Sequence, residues 1–290
     1  MALLIIGANG RLGRQVASHL AATSEPLLRA SHVEPADYHL DLEEPVGRWA
    51  DLLPAEVSQA WVCNGSGQPV TCHRDPLRTR LFNVDNTIDL LSGLLARGIK
   101  PVVCSTAEVF AGRRGNYKED EPTCPATEFG RQKKDVEDWL LAQGKPCLIV
   151  RLTQLYITDE PDTGPLGTML SRLAAGETVR AADDEVLCPT FVGDIPGAVG
   201  RLLRAGANGI YHVANPTTWT AYALARLLAS RLDRPGLVER CSLRDCLGAR
   251  HRLPNTSLDV SRVLATGFRF SALEERLPAL VEATCSPALV

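Results

Sequence analysis

No stretch of the chain reaches the roughly 18 consecutive apolar residues that a bilayer-spanning helix needs, and its charges gather into no long run of one sign. The first absence predicts a protein without a membrane partner. The second, with 31 basic residues against 34 acidic ones, argues against nucleic acid as a partner, since that role calls for a concentrated basic face. The opening MALLIIGANG is too short for a secretory leader and runs straight into a glycine turn. None of the nine cysteines forms a CxxC pair, so they read as free thiols of a reducing compartment, and no metal site is expected. A cytoplasmic location follows as the expectation.

What is present is the composition of a globular chain, 45% hydrophobic and 22% charged, long enough for a large domain with a small partner. Strand-like runs at 3–6, 26–28, 60–63, 101–104 and 147–151 alternate with helix-like stretches at 14–22, 86–97 and 130–142, each helix carrying an apolar stripe. Such alternation predicts a doubly wound α/β fold around a parallel sheet covered on both faces. Beyond about residue 155 the rhythm breaks. Residues 158–167 (TDEPDTGPLG) read as a loop, followed by a helix at 168–175, a strand at 211–214, a helix at 221–231, and turns with short helices from 254 onward. The expected division is a dinucleotide-binding domain over 1–155 and, over 156–290, mainly a smaller substrate lobe with some segments returning to the first domain.

The first strand leads into Gly7-Ala8-Asn9-Gly10-Arg11-Leu12-Gly13, and a helix follows. Glycines at this GxxGxxG spacing make a tight turn, admit backbone to a pyrophosphate and let helix pack on strand. The helix N-terminus then faces the phosphates with unpaired N–H groups. A structural turn without a ligand is the plainer alternative. Cofactor choice is set at the end of the second strand, where an acid binds ribose hydroxyls and an arginine accommodates a 2′-phosphate. Arg29 follows Leu27-Leu28 and no acid appears before Glu34, which favours NADP(H), with NAD(H) second.

These features resemble the extended short-chain dehydrogenase/reductase family, and later segments extend the likeness over nearly the whole chain. Cys104–Gly112 (CSTAEVFAG) is similar to the family's strand with a catalytic Ser/Thr, and Tyr117–Glu121 to the loop before its YxxxK. LCPTFVGD at 187–194, GIYHVAN at 209–215 and RLPNTSLD at 252–259 resemble the C-terminal signatures of the rhamnose-type nucleotide-sugar reductases. The resemblance implies a Rossmann-type fold with a small C-terminal substrate-binding lobe, and hydride exchange between a nicotinamide cofactor and a nucleotide-sugar carbonyl. It assigns Asp41 and Leu42 to the adenine, Asn64 and Gly65 to the adenosine ribose, Lys133 to the nicotinamide ribose and Thr106 to the substrate oxygen. A homodimer, common in the family, is left open.

The family's acid/base tyrosine falls on Phe129, four residues before Lys133, and a phenyl ring has no proton to give. Three accounts stand: a disabled reductase, a homologue whose proton comes from elsewhere, or a fold kept for binding or scaffolding. An epimerase- or dehydratase-like reaction with recycled cofactor is a further alternative. Glu108 and Gln154 occupy positions where the rhamnose-type reductases often carry a substrate-contacting Tyr and Trp, so both are candidate substrate residues. Glu108 is also the candidate replacement acid, against the plainer reading of a polar residue at the pocket mouth. His212 is expected to be a buried, hydrogen-bonded core residue, Trp219 to pack under the helix that follows it, and Asp183-Asp184-Glu185 to form a solvated acidic turn rather than a metal cluster.

Overall fold

The computed structural model describes residues 2–21, 26–63, 69–246 and 252–285. Seven parallel strands form its central sheet: β1 (Ala2–Ile6), β2 (Leu27–Ser31), β3 (Tyr38–His39), β4 (Val57–Val62), β5 (Lys100–Thr106), β6 (Leu148–Leu152) and β7 (Gly209–His212), in the order β7-β6-β5-β4-β1-β2-β3. All five residues of β1, and all five of β6, are buried. Continuous apolar runs of this kind suit strands covered on both faces. One register row, Ala30–Ile6–Val62–Val103–Ile149–Ile210, crosses six strands and points to a single face.

That face packs against α2 (Asn86–Ala96) and α3 (Glu128–Ala142), through residues such as Leu90, Leu94, Val136 and Leu140. The opposite face carries α1 (Arg11–Leu20) and, from the C-terminal half, α5 (Asp194–Arg204). A third apolar core lies apart from both. It is built by α4 (Pro165–Ala174), α6 (Ala221–Arg231) and α7 (Leu273–Cys285), with Leu170, Leu224 and Leu277 at its centre. The doubly wound sheet is therefore present as the alternation predicts, and the order of strands reverses at β1, where such sheets open a crevice.

Four differences from the sequence reading have local causes. Helix α5 (DIPGAVGRLLR) is concealed by Pro196 and two glycines, of which Gly197 lies close under the Phe268 ring, 3.0 Å from where a Cβ would sit. Helix α7 is continuous although Pro278 lies inside it. The loop predicted through Gly167 ends earlier, because Pro165 opens α4 at a position where a missing N–H costs nothing. Strand β2 runs on to Ser31, which places Arg29 within the strand, opposite Ile5, instead of at its end.

Ile149 is fully buried at the centre of the register row. Ile149→Ala is expected to lower unfolding free energy by about 2–5 kcal/mol, read from urea denaturation, with the helical circular-dichroism spectrum unchanged.

Candidate active site

The glycine turn is dictated by contact distances. Gly7 has φ 76°, and the Gly7 and Ala8 amides both donate to the Ala30 carbonyl, at 2.9 and 3.2 Å. A Cβ on Gly13 would lie 2.1 Å from the Gly7 oxygen, so no side chain fits between α1 and the end of β1. Gly10 caps α1 without a side chain, and the first turn holds no acid. Backbone thus lies open where a pyrophosphate would meet the helix N-terminus. This is a cradle of the kind a dinucleotide requires.

Around it the predicted residues take varied places. Asn9 donates to the Val33 and Pro35 carbonyls, tying the turn to the segment after β2. Leu12 packs on the core, and Arg11 reaches Asp162. Arg29 is exposed, and the strand's last residue, Ser31, is followed by exposed His32, with no carboxylate at either position. Leu42 is buried and its carbonyl accepts from Asn86 Nδ2 at 2.8 Å, whereas Asp41 caps its own turn at the Glu43 amide. Asn64 and Gly65 lie outside the described residues.

Thr106, Glu108, Phe129 and Lys133 converge where the first turn of α3 crosses the end of β5. Thr106 Oγ1 accepts from the Glu108 amide at 3.2 Å. Glu108 Oε2 accepts from Thr127 Oγ1 at 2.7 Å, and Thr127 in turn caps α3 by accepting from the Gly130 amide. Burial pushes the Glu108 carboxyl up from its ordinary value, opposed by the Thr127 hydrogen bond. Phe129 is buried, and Lys133 Nζ sits 6.0 Å from its ring centroid and 3.3 Å from the Cys104 carbonyl. Burial pulls the Lys133 ammonium down, with Cys104, Cys72 and Glu137 pulling the other way. Of the two phenols nearest in sequence, Tyr117 accepts from the Arg113 and Arg114 amides, and Tyr156 lies in the third core.

Sequence reading missed what holds this arrangement. A Cβ on Gly130 would lie 2.1 Å from the Glu108 carbonyl oxygen, so the helix can sit against β5 only with glycine there. Buried Glu137, one turn after Lys133, takes Ser105 Oγ on β5 and a bidentate Arg151 guanidinium on β6. Arg151 also lies over the Phe110 ring at 4.9 Å and 3.5 Å from His212 Nε2. The Thr127 cap and the helical spacing to Gly130 were visible signals; the Glu137–Arg151 pairing, between residues remote in sequence, was not.

Gln154 follows β6 and bridges two segments of the C-terminal half. Its Oε1 accepts from the Cys188 amide at 3.1 Å and its Nε2 donates to Thr256 Oγ1 at 3.3 Å, so its amide organises neighbouring segments. The acidic turn is solvated only in part: Asp184 is exposed and Asp183 half-exposed, but Glu185 is not. Glu185 is buried and paired with Arg252, Asp183 pairs with Arg240, and Asp184 accepts from the Leu243 amide. Each acid has its own partner, and among the described residues no group of His, Cys, Asp and Glu could hold a metal.

A family model described as "RmlD substrate binding domain" matches residues 1–285. The chain belongs to this family. A relative from Streptomyces antibioticus, a probable dTDP-4,6-dihydroxy-2-methyloxan-3-one 4-ketoreductase, is 31% identical over 88% of this chain and 83% of its own. A dTDP-4-dehydrorhamnose reductase from Streptomyces griseus is 29% identical over 96% and 93%. The crystal structure of dTDP-4-dehydrorhamnose reductase from Bacillus anthracis in complex with NADP superposes with a TM-score of 0.84, covering 96% of this chain and 98% of that one at 20% identity, a likeness of fold.

His212 in this family member is fully buried, and burial first, then Arg151, lowers its pKa to about 4. The unfolded chain therefore binds more protons between the ordinary histidine pKa near 6.5 and about 4. Stability is expected to fall as pH drops through that window, by up to about 3 kcal/mol. Urea titrations at several pH values read the slope, and His212→Gln should reduce it.

Proposed function

We propose that this chain is an NADPH-linked ketoreductase of a nucleotide-activated deoxysugar. The observation that carries the reading is the gathering of Thr106, Glu108 and Lys133 around the end of β5, at the same carboxyl end of the parallel sheet as the glycine cradle. The relatives' names support the substrate class.

In this reading Gly7, Gly10, Leu12 and Gly13 hold the pyrophosphate by backbone, with Arg11 beside it, and Lys133 holds the nicotinamide ribose. The absence of a carboxylate at Ser31 and His32 leaves room for a 2′-phosphate, with Arg29 as its cation; NAD(H) is the second choice. When bound, the cofactor supplies the hydride. Thr106 orients the carbonyl oxygen, on which negative charge develops and must meet a donor. Phe129 offers none. Glu108 offers one: half-buried beside Thr127, its carboxyl is held protonated to higher pH than an ordinary glutamate. Gln154 shapes the substrate pocket through the segments it joins. The protein is a small-molecule enzyme of the cytoplasm.

Phe129 itself favours a second reading, a dinucleotide- or sugar-binding protein without turnover. NADPH oxidation with a panel of nucleotide 4-keto-6-deoxy sugars distinguishes the two. The wild-type chain should turn over, more slowly as pH rises through the raised Glu108 pKa. Glu108→Gln should cost about a hundredfold and abolish that pH limb, as loss of a general acid does. Turnover that is gained only on Phe129→Tyr would assign the site to a reductase that has lost its acid. Absence of NADPH oxidation by wild type and Phe129→Tyr alike would overturn the reductase reading in favour of binding.

A further inference from the structure

Helix α1 begins with positive charge at its positive end. Arg11 and Arg14 both occupy the first turn, where the helix dipole disfavours cations, and no acid of the helix offsets them. Their partners come from far away in sequence, from the segment between residue 157 and α4. Arg11 Nη1 lies 3.4 Å from Asp162 Oδ1, Arg14 pairs with Glu160, and Gln15 Nε2 donates to Asp159 Oδ2 at 2.9 Å. Residues 11, 14 and 15 share one face of a helix, so the acidic segment lies along that face as a strap. Asp162 anchors it: its side chain is fully buried, and its carboxylate accepts from the Gly164 amide at 3.2 Å and the Gly167 amide at 2.9 Å, capping α4. A Cβ on Gly167 would lie 1.8 Å from the Asp162 carbonyl oxygen, so this approach of the strap to α4 is built in.

We propose that the 159–162 strap is an autoinhibitory contact, occupying the cations of the glycine turn until a dinucleotide pyrophosphate displaces it and thereby loosens the start of α4. This inference rests on the dinucleotide reading of that turn. The charge balance supports it. Three carboxylates face two guanidiniums, so an arriving anionic pyrophosphate meets acids already holding the arginines it needs. Because α4 belongs to the third core, release of its cap carries the news of cofactor loading to the substrate lobe.

The test uses the full chain and NADPH, with affinity read from cofactor fluorescence and strap release from amide hydrogen exchange. The double variant Asp159→Asn/Glu160→Gln keeps the Asp162 cap and should bind NADPH roughly threefold to tenfold more tightly than wild type, the scale of two exposed contacts. Asp162→Asn, which keeps an acceptor for one amide, should tighten binding in the same direction. In wild type, NADPH should speed exchange of the amides over 157–167. Equal or weaker binding by the double variant, or slower exchange over 157–167 on loading, overturns the strap while leaving the dinucleotide reading in place. No binding by wild type or either variant overturns both.

Discussion

Glu137 takes hydrogen bonds from Ser105 on β5 and from Arg151 on β6, in a place where neither charge is exposed. Buried ion pairs persist only when geometry and added hydrogen bonds offset desolvation, and losing one partner strands the other. This one is placed so that α3 cannot shift along the sheet without breaking it. Lys133 is one turn before Glu137 and Thr106 is one residue after Ser105. The spacing of Thr106 and Lys133 is therefore set by an interaction that touches neither side chain. Gly130 completes the constraint by letting the first turn of α3 rest on the Glu108 carbonyl.

Within that frame the chemistry turns on which groups are kept out of water. Lys133 is a cation in a buried setting, beside the Phe129 ring and the Cys104 carbonyl, and burial makes it a readier proton donor than a surface lysine. Glu108 is a carboxyl that burial keeps protonated longer. The buried Phe129 ring lies beside Lys133 and carries no ionisable group.

The glycine turn and the segments that flank it are joined to the rest of the chain by polar contacts. Asn9 ties the turn to the segment beyond β2, while Arg11, Arg14 and Gln15 tie α1 to the segment before α4. Gln154 joins the segments at Cys188 and Thr256, and the Glu185–Arg252 pair joins residues 67 positions apart. The apolar cores remain separate, and of these polar contacts the exposed ones, such as Arg14–Glu160, are individually weak, whereas Asp162 and Glu185 are buried.

Local pattern by itself determined the parallel sheet, because strands buried on both faces must be written as unbroken apolar runs and their helices as apolar stripes. It determined the glycine turn, since spacing alone states where backbone must come close, whereas Thr106, Phe129 and Lys133 were picked out by the family resemblance. The extent of β2, and with it the place of Arg29, was decided by pairing with β1. Helices α5 and α7 were decided by packing that outweighs their Pro and Gly content. The Glu137–Arg151 pair, the Asp162 anchor and the partners of the acidic turn join residues remote in the chain. No local periodicity encodes such pairs: an isolated charge in sequence looks the same whether it faces water or a buried partner, and only the folded path of the chain decides which.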